Sequence, residues 1–413
     1  MSFLKGLASL SEDELERKGI KYTLREILSQ PDLWIRSFEV LREKMDEVRG
    51  FVEERILSNR CLKVILSGAG SSHYIGLSCE DLLRTLWGVD VMSKACTDIV
   101  TGWRSIFLKD VRTTLICFSR SGESPEILGT FLLADKHCED INHIIVTCNK
   151  DGRLLSLKSR AEDEGERNVL RIVLPEEAND KGLAMTSSFT TMLMTAQFLA
   201  YIQQIDEYWR VLRDASLAAG KILSEYADLI KEISDLNFNR AFFLGSGPLY
   251  GCAAESHLKL QELTSGRIIC KFDSYLGVRH GPEAAIDDKT LVVYFVSSDP
   301  FIRRYEVDLM DDLKSKGLGL KKVAVCCDLS SEVERYADYV INVGGERSLI
   351  PDYCRPIVDV IVGQLLGLFK SLNMGLKPDN PSERGVITRV VRGVKIYDEE
   401  AFEKSSQFKI VFQ

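Results

Sequence analysis

Two stretches of this 413-residue chain carry residue types that could do chemistry. One is FSRSGESPE at 118–126, which places three serines, an arginine and a glycine after the apolar run TTLICF. Ser119 ends an expected strand, Ser121 and Gly122 make the turn, and Ser124-Pro125-Glu126 opens a helix with proline suited to its first turn. Backbone N–H groups at a helix start, the positive end of the helix dipole and short hydroxyl donors all favour a phosphate. A second helix start, GAGSSHYIG at 68–76, adds Ser71 and Ser72. The same residue types also cap helices, so on the residues alone cradle and cap both stay open.

The other stretch is LYGCAAESHLKLQELTSG at 249–266. Glu255, Lys259 and Glu262 fall at i, i+4 and i+7, on one face of a helix. The rest of that helix is largely Ala, Cys and Leu, which predicts burial, and a lysine between two carboxylates supplies pairing while tuning their pKa values. A solvated Glu-Lys-Glu stripe is the plain alternative. The helix follows a glycine turn at the expected binding edge, and that position favours chemistry. Downstream, DSYLGVRHGPEAAIDD at 273–288 contains Arg279-His280-Gly281-Pro282, a polar turn before a buried strand. Of the five histidines, His280 is the one flanked by site-like residues. His257 is expected on the helix face away from the stripe, and His137 and His143 at the surface.

No His/Cys/Asp spacing and no HExxH suggests a metal site. Gly68-Ala69-Gly70 lacks the third glycine of GxGxxG, and no GK[ST] follows either glycine run, so neither NAD nor ATP is expected, nor any other cofactor.

These residues need a scaffold, and the sequence shows one twice. Short β-rich runs alternate with amphipathic helical segments, the pattern of an α/β chain with parallel sheets. The first-half runs are 61–68, 89–95, 113–119, 142–148 and 169–175; the second-half runs are 240–247, 268–274, 289–297, 321–327 and 339–344. LSGAG sits against FLGSG, TTLICFS against KTLVVYFVS and HIIVTCN against KVAVCCD, at an offset of 176 to 179 residues. The expectation is two tandem doubly wound, flavodoxin-like parallel-sheet domains with helical extensions. Their spans are 1–49 for an N-terminal helical extension, 50–205 for the first domain, 206–236 for a connecting helix, 237–374 for the second domain and 375–413 for a tail. A helix is expected over 32–57. After the third strand the first copy has SRSGESPE and the second SSDPFIRR, so only the first keeps the hydroxyl cluster.

A net charge of −8 argues against a nucleic-acid or anionic-membrane binder, so an anionic ligand needs a local site. The first residues lack the apolar core of a secretory signal, and no apolar run approaches the roughly 20 residues of a membrane helix. The eleven scattered cysteines, without a CxxC, read as free thiols in a reducing cytoplasm.

SxSGxS in the first copy, with ExxxKxxE and then HGP in the second, resembles the sugar isomerase (SIS) double domain, as in the isomerase half of glucosamine-6-phosphate synthase. WIRS (34–37), AMTSSFTTM (184–192), ESHLKLQELTSG and the tail DNPSERGVITRVVRGV (379–394) bring the resemblance closer to the galactosamine-6-phosphate deaminase/isomerase family, also called tagatose-6-phosphate ketose/aldose isomerase. The resemblance spans nearly the whole chain. It implies that Ser71, Ser72, Ser119, Arg120, Ser121, Gly122 and Ser124 bind the sugar phosphate. It implies that Glu262 moves a proton between C1 and C2, that Glu255 and Lys259 support it, and that His280 opens the sugar ring. In glucosamine-6-phosphate synthase that histidine comes from the partner subunit, which implies a homodimer or larger assembly. The substrate implied is a phosphorylated amino sugar. This chain begins Met-Ser-Phe, without that synthase's N-terminal catalytic cysteine, and VRGVKIYDEE replaces its C-terminal lysine motif, so glutamine-dependent synthesis is not expected.

Overall fold

The computed structural model describes residues 2–58, 62–345, 349–391 and 393–397. The start of the first expected strand and the end of the expected tail therefore lie outside the described residues. Ten strands form two five-stranded sheets: β1 (Lys63–Ser67), β2 (Asp90–Ser93), β3 (Thr113–Ser119), β4 (Ile141–Thr147) and β5 (Val169–Val173), then β6 (Arg240–Leu244), β7 (Ile269–Asp273), β8 (Thr290–Phe295), β9 (Lys321–Cys326) and β10 (Tyr339–Asn342). The strand orders are β2-β1-β3-β4-β5 and β10-β9-β8-β6-β7, which are the same order in the two copies. Every pairing is parallel, with Lys63 opposite Thr113 in the first sheet and Arg240 opposite Thr290 in the second. Strands β3, β4 and β8 are buried along their whole length, as parallel strands covered by helices on both faces require. In each sheet the chain order reverses between the first and third strands, and a crevice opens at their carboxyl ends.

Helices follow the strands at those ends. Ser71–Trp87 comes after β1, Pro125–His137 after β3, Pro248–Leu263 after β6 and Pro300–Ser315 after β8. The connection between domains is helical over Ile205–Lys221 and Ala227–Asp235, with a wider turn at Ile222–Tyr226. Pro356–Asn373 is long and apolar enough to cross a membrane by length and composition, which the sequence reading did not anticipate. Residues 356–371 of it are all buried, so it is the central core helix here. It lies close against Pro248–Leu263: a Cβ on Gly363 would meet Ser256 Cβ at 2.5 Å, and one on Gly367 would meet the Lys259 carbonyl oxygen at 3.0 Å. Bare backbone at these two positions seats the lysine-bearing helix.

The N-terminal helix differs from expectation. It runs Lys21–Glu43, straight through Pro31, followed by Met45–Val52 and a wide turn over Glu53–Leu57. Proline cannot donate to the carbonyl four residues back, and the side-chain amide of Gln30 fills the gap by donating to Ile27 O at 3.0 Å. The helix start is capped from across the chain. The Asp379 carboxylate accepts from Tyr22 N and Thr23 N, the latter at 2.7 Å, so the tail is tied to the helix.

His143 corrects the sequence reading. It lies within β4, fully buried and stacked on Phe131 at 3.9 Å, and burial pushes its pKa down to about 3. Its side chain faces inward because every position of β4 is covered. His137 is half-buried and stacks on Trp103 at 3.6 Å. Ten described cysteines are free, and all but Cys270 are buried.

Candidate active site

A cavity of about 370 Å³ lies over the crevice of the first sheet, at the carboxyl ends of β1 and β3. Ser71, Ser72, Ser119, Arg120, Ser121 and Ser124 line it, and so does Glu262 from the second domain. The two stretches singled out in the sequence, more than a hundred residues apart, thus face one space.

The loop after β3 is organised from within. Ser119 Oγ accepts from Gly122 N at 3.0 Å, and Ser121 Oγ accepts from Glu123 N at 3.2 Å. Among the described residues neither hydroxyl has an acceptor for its own hydrogen, which leaves both as donors toward the cavity. Gly122 supplies the turn at φ +65°, and a Cβ there would come within 3.1 Å of Gly152 Cα. Ser124 stands at the N-cap of Pro125–His137, yet its side chain makes no capping bond. The cap reading of this serine therefore fails on geometry, while the helix start still faces the cavity with its dipole.

Arg120 is placed differently from a phosphate ligand. Its Nη1 donates to Gly182 O at 3.4 Å and Leu183 O at 3.3 Å, and its Nη2 donates to Arg389 O at 2.6 Å. Burial pushes its pKa down, with Asp180 opposing. The guanidinium holds two chain segments in place and leaves its positive charge beside the serines.

On the helix Pro248–Leu263, Lys259 is fully buried and reaches three groups. It donates to Glu262 Oε2 at 2.7 Å and to Ser71 Oγ at 2.9 Å, and it pairs with Glu255 Oε1 at 3.2 Å. The Ser71 contact joins the first domain's helix start to the second domain's helix. Burial raises the Glu255 carboxyl to about 8, partly offset by Lys259. Burial alone would lower Lys259, but the two carboxylates outweigh it and the ammonium is held. With Glu255 biased toward its neutral acid, the lysine's charge is directed chiefly at Glu262, whose side chain is 25% exposed and reaches the cavity. His257 turns to Phe272 and Tyr74, away from this cluster.

His280 is not brought into this cavity. It is exposed, at the end of the short turn Gly277–Arg279. The sequence reading missed a further wall: Val386, Ile387, Thr388, Arg389, Val390 and Val391 of the tail, with Leu183 and Met185, close the cavity. The tail carries no periodicity, so only the motif-like wording of 379–394 and 184–192 pointed to it. Among the described residues no group of three or more His, Cys, Asp or Glu side chains could hold a metal ion.

No protein-family model matches the chain. It is 33% identical over 381 residues to D-galactosamine-6-phosphate deaminase AgaS of Escherichia coli, covering 92% of this chain and 96% of that one. The chain belongs to the AgaS family. The AgaS deaminase of Shewanella sp. (strain ANA-3) is 32% identical over 395 residues, 94% of this chain and 95% of its own. The crystal structure of the tagatose-6-phosphate ketose/aldose isomerase from Escherichia coli matches with a TM-score of 0.82 at 32% identity, over 92% of this chain and 97% of that one. The C-terminal domain of the glucosamine-fructose-6-phosphate aminotransferase from Francisella tularensis matches at a TM-score of 0.72 and 20% identity, covering 90% of this chain and all of that one, and shares the fold. Like these relatives, the AgaS-family chain is a phosphosugar isomerase-type protein built of two SIS domains.

Proposed function

We propose that the chain is an amino-sugar-phosphate deaminase/isomerase that converts D-galactosamine 6-phosphate to D-tagatose 6-phosphate and ammonia. The observation that carries the reading is Glu262, held by the buried Lys259 and presented into the cavity that the serine loop lines. Ser119, Ser121 and Ser124, with Ser71 and Ser72 at the neighbouring helix start, hold the phosphate by hydroxyl donors and helix dipole. That grip lays C1 and C2 of the open-chain sugar near Glu262.

Glu262 takes the C2 proton, giving an enolamine, and returns it to C1. The product is a C2 ketimine with C1 reduced to the alcohol level, so the two carbons exchange oxidation state without an external redox partner. Water adds to the ketimine, its oxygen becomes the C2 carbonyl, and ammonia leaves. A carboxylate fixed at the reacting carbons suits this shuttle, and Lys259 fixes it. Glu255 supports the pair by holding the other side of the ammonium.

Ring opening needs an acid and a base at the hemiacetal, and His280 serves this step for the site of a neighbouring subunit. Its exposure, outside the cavity of its own chain, supports that exchange and an assembly of at least two copies. The unpaired cysteines support a reducing, cytoplasmic setting. The first domain, 50–205, then contributes the grip and the second, 237–374, the proton chemistry, with 1–49, 206–236 and 375–413 as extension, connector and tail.

A coupled ammonia assay on galactosamine 6-phosphate and glucosamine 6-phosphate, with the sugar products identified, tests the proposal. Tagatose 6-phosphate and ammonia from the galacto substrate are expected. Turnover of nitrogen-free phosphosugars alone would make the chain a plain aldose-ketose isomerase, and tight binding without turnover would make it a sensor.

A further inference from the structure

One wall of the cavity, formed by Leu183 and Met185, is held by a carboxylate that the proton shuttle does not use. Glu26, on the N-terminal helix Lys21–Glu43, is buried at 9% exposure. Its Oε1 accepts from Lys181 N at 2.6 Å and from Gly182 N at 3.1 Å. The carbonyls of Gly182 and Leu183 accept in turn from Arg120, and Leu183 N donates to Asp379 O at 3.0 Å. Residues 181–183 are thus gripped through their backbone by Glu26, Arg120 and the tail at once. Arg120 lies between Ser119 and Ser121, so tension in this loop reaches the serines directly.

The other oxygen, Glu26 Oε2, is buried with no hydrogen-bond partner among the described residues, and so is the nearby Thr23 Oγ1. A Cβ on Gly182 would lie 2.9 Å from Glu26 Oε2 and 3.0 Å from Thr23 Oγ1, so the loop backbone rests on the carboxyl itself. The charged groups around Glu26 are Asp180 and Asp379, both of its own sign, with Arg120 beyond the loop. Arg389 is engaged with Asp180 O and Asn179 Oδ1. Asp180 is occupied on the other side of the loop, where it accepts from Thr186 N, Ser188 N and both serine hydroxyls of Ser187 and Ser188.

We propose that Glu26 is a positioning residue for the anion site and that it acts as the neutral acid. Protonated, it keeps residues 181–183 seated against Arg120; ionised, with Oε2 buried without a partner among the described residues and the like charges of Asp180 and Asp379 acting on it, it leaves this seat and loosens the serine loop. Burial and the charge of Asp180 raise its pKa to about 8, against the two backbone N–H groups that favour the ion. The inference rests on the phosphate reading of Ser119, Ser121 and Ser124.

Sulfate is the probe, because it stays a dianion across the range while phosphate itself titrates. Calorimetric sulfate affinity is measured at about pH 6.5 and about pH 9 for the full chain, Glu26→Gln and Glu26→Ala. The wild-type chain should lose affinity with rising pH by about fivefold or more beyond any loss in Glu26→Gln, the size of a modest coupling between sites. Glu26→Ala should bind weakly at both values. Equal slopes for wild type and Glu26→Gln, or wild-type affinity in Glu26→Ala, would overturn the proposal. Amide exchange at 181–185 without ligand separates the two readings. Faster exchange in Glu26→Ala with rescue by Glu26→Gln supports the clamp, and unchanged protection overturns it. A wild-type chain that binds no sulfate at either pH overturns the phosphate reading instead.

Discussion

The loop after β3 and the loop after β8 occupy the same place in two sheets of the same strand order, each leading into a helix that begins with proline. In the first copy the loop holds serine hydroxyls that, among the described residues, have no carboxylate hydrogen-bonded to them. In the second it is filled by the chain's own carboxylates. Asp352 accepts from Ser297 Oγ at 2.5 Å and Ser298 N at 2.9 Å, Glu306 accepts from Ser297 N at 2.7 Å, and Asp299 caps the helix through Phe301 N and Ile302 N. Arg355, fully buried, pairs with Asp352 at 3.0 Å and Asp359 at 2.7 Å and balances part of that charge. On the proposed reading, the duplicated fold offers an anion site twice. The first copy would leave it open to a ligand, while the second closes it with its own carboxylates and carries the proton chemistry on the neighbouring helix.

The division is broken most severely at Glu262. Glu262→Gln keeps the shape of the side chain and its contact with Lys259 but removes the base, so kcat should fall roughly a thousand-fold, in the range for a lost proton-transfer group. Steady-state ammonia release gives kcat and calorimetry gives substrate affinity, which should change little. Near-normal turnover would return the chemistry to the first copy or elsewhere.

Asp352→Ala should unplug the second loop. It leaves Ser298 N and Arg355 short of their acceptor, and loss of one member of a largely buried, hydrogen-bonded charge pair costs roughly 3 kcal/mol. Made together with Ser121→Ala and Ser124→Ala, which disable the first loop, this variant should regain part of its thermal midpoint in inorganic phosphate. No regain would mean that the second loop is not an anion site held shut. In the first copy, Ser121→Ala or Ser124→Ala made singly should raise KM roughly 10- to 100-fold with kcat nearly kept, since one hydrogen bond to a charged group is worth about 1.5–3 kcal/mol.

The buried carboxyl of Glu255 gives a smaller effect that depends on pH. Its folded pKa lies above the usual carboxylate value near 4.5, at about 8, so its contribution to stability is whole below 4.5 and is lost as pH rises toward 8. The slope cannot exceed about 1.4 kcal/mol per pH unit for one group. The thermal midpoint of the wild-type chain should therefore fall more between about pH 5 and about pH 8 than that of Glu255→Gln.

How much of this was legible in the sequence follows from how local each feature is. All ten strands, their doubling and the Glu255-Lys259-Glu262 face were readable because periodicity and spacing are properties of short stretches. The carboxylates behind the loops were not. Asp352 lies 55 residues from Ser297, and Asp379 lies 356 residues from Thr23. The resemblance implies an anion contact for Arg120, but its acceptors are carbonyls of segments reached only through the tertiary fold. The helix expected over 32–57 begins earlier, at Lys21, because the gap that Pro31 leaves is repaired by the Gln30 side chain, which depends on a rotamer. His143 looked polar and hence exposed, yet the whole of its strand is covered.

The smallest effect separates the two loops most cleanly. A serine at an N-cap usually stabilises its helix by about 1 kcal/mol, and Asp299 makes such a cap with two backbone N–H groups. Asp299→Ala should lose about that amount in chemical denaturation. Ser124 occupies the same position in the first copy without making the bond, so Ser124→Ala should leave stability unchanged while weakening phosphate binding. If instead Ser124→Ala destabilised the chain as Asp299→Ala does and bound phosphate normally, the two loops would be alike, both serving only to start a helix. The serine is then expected to matter to the ligand because the fold does not use it.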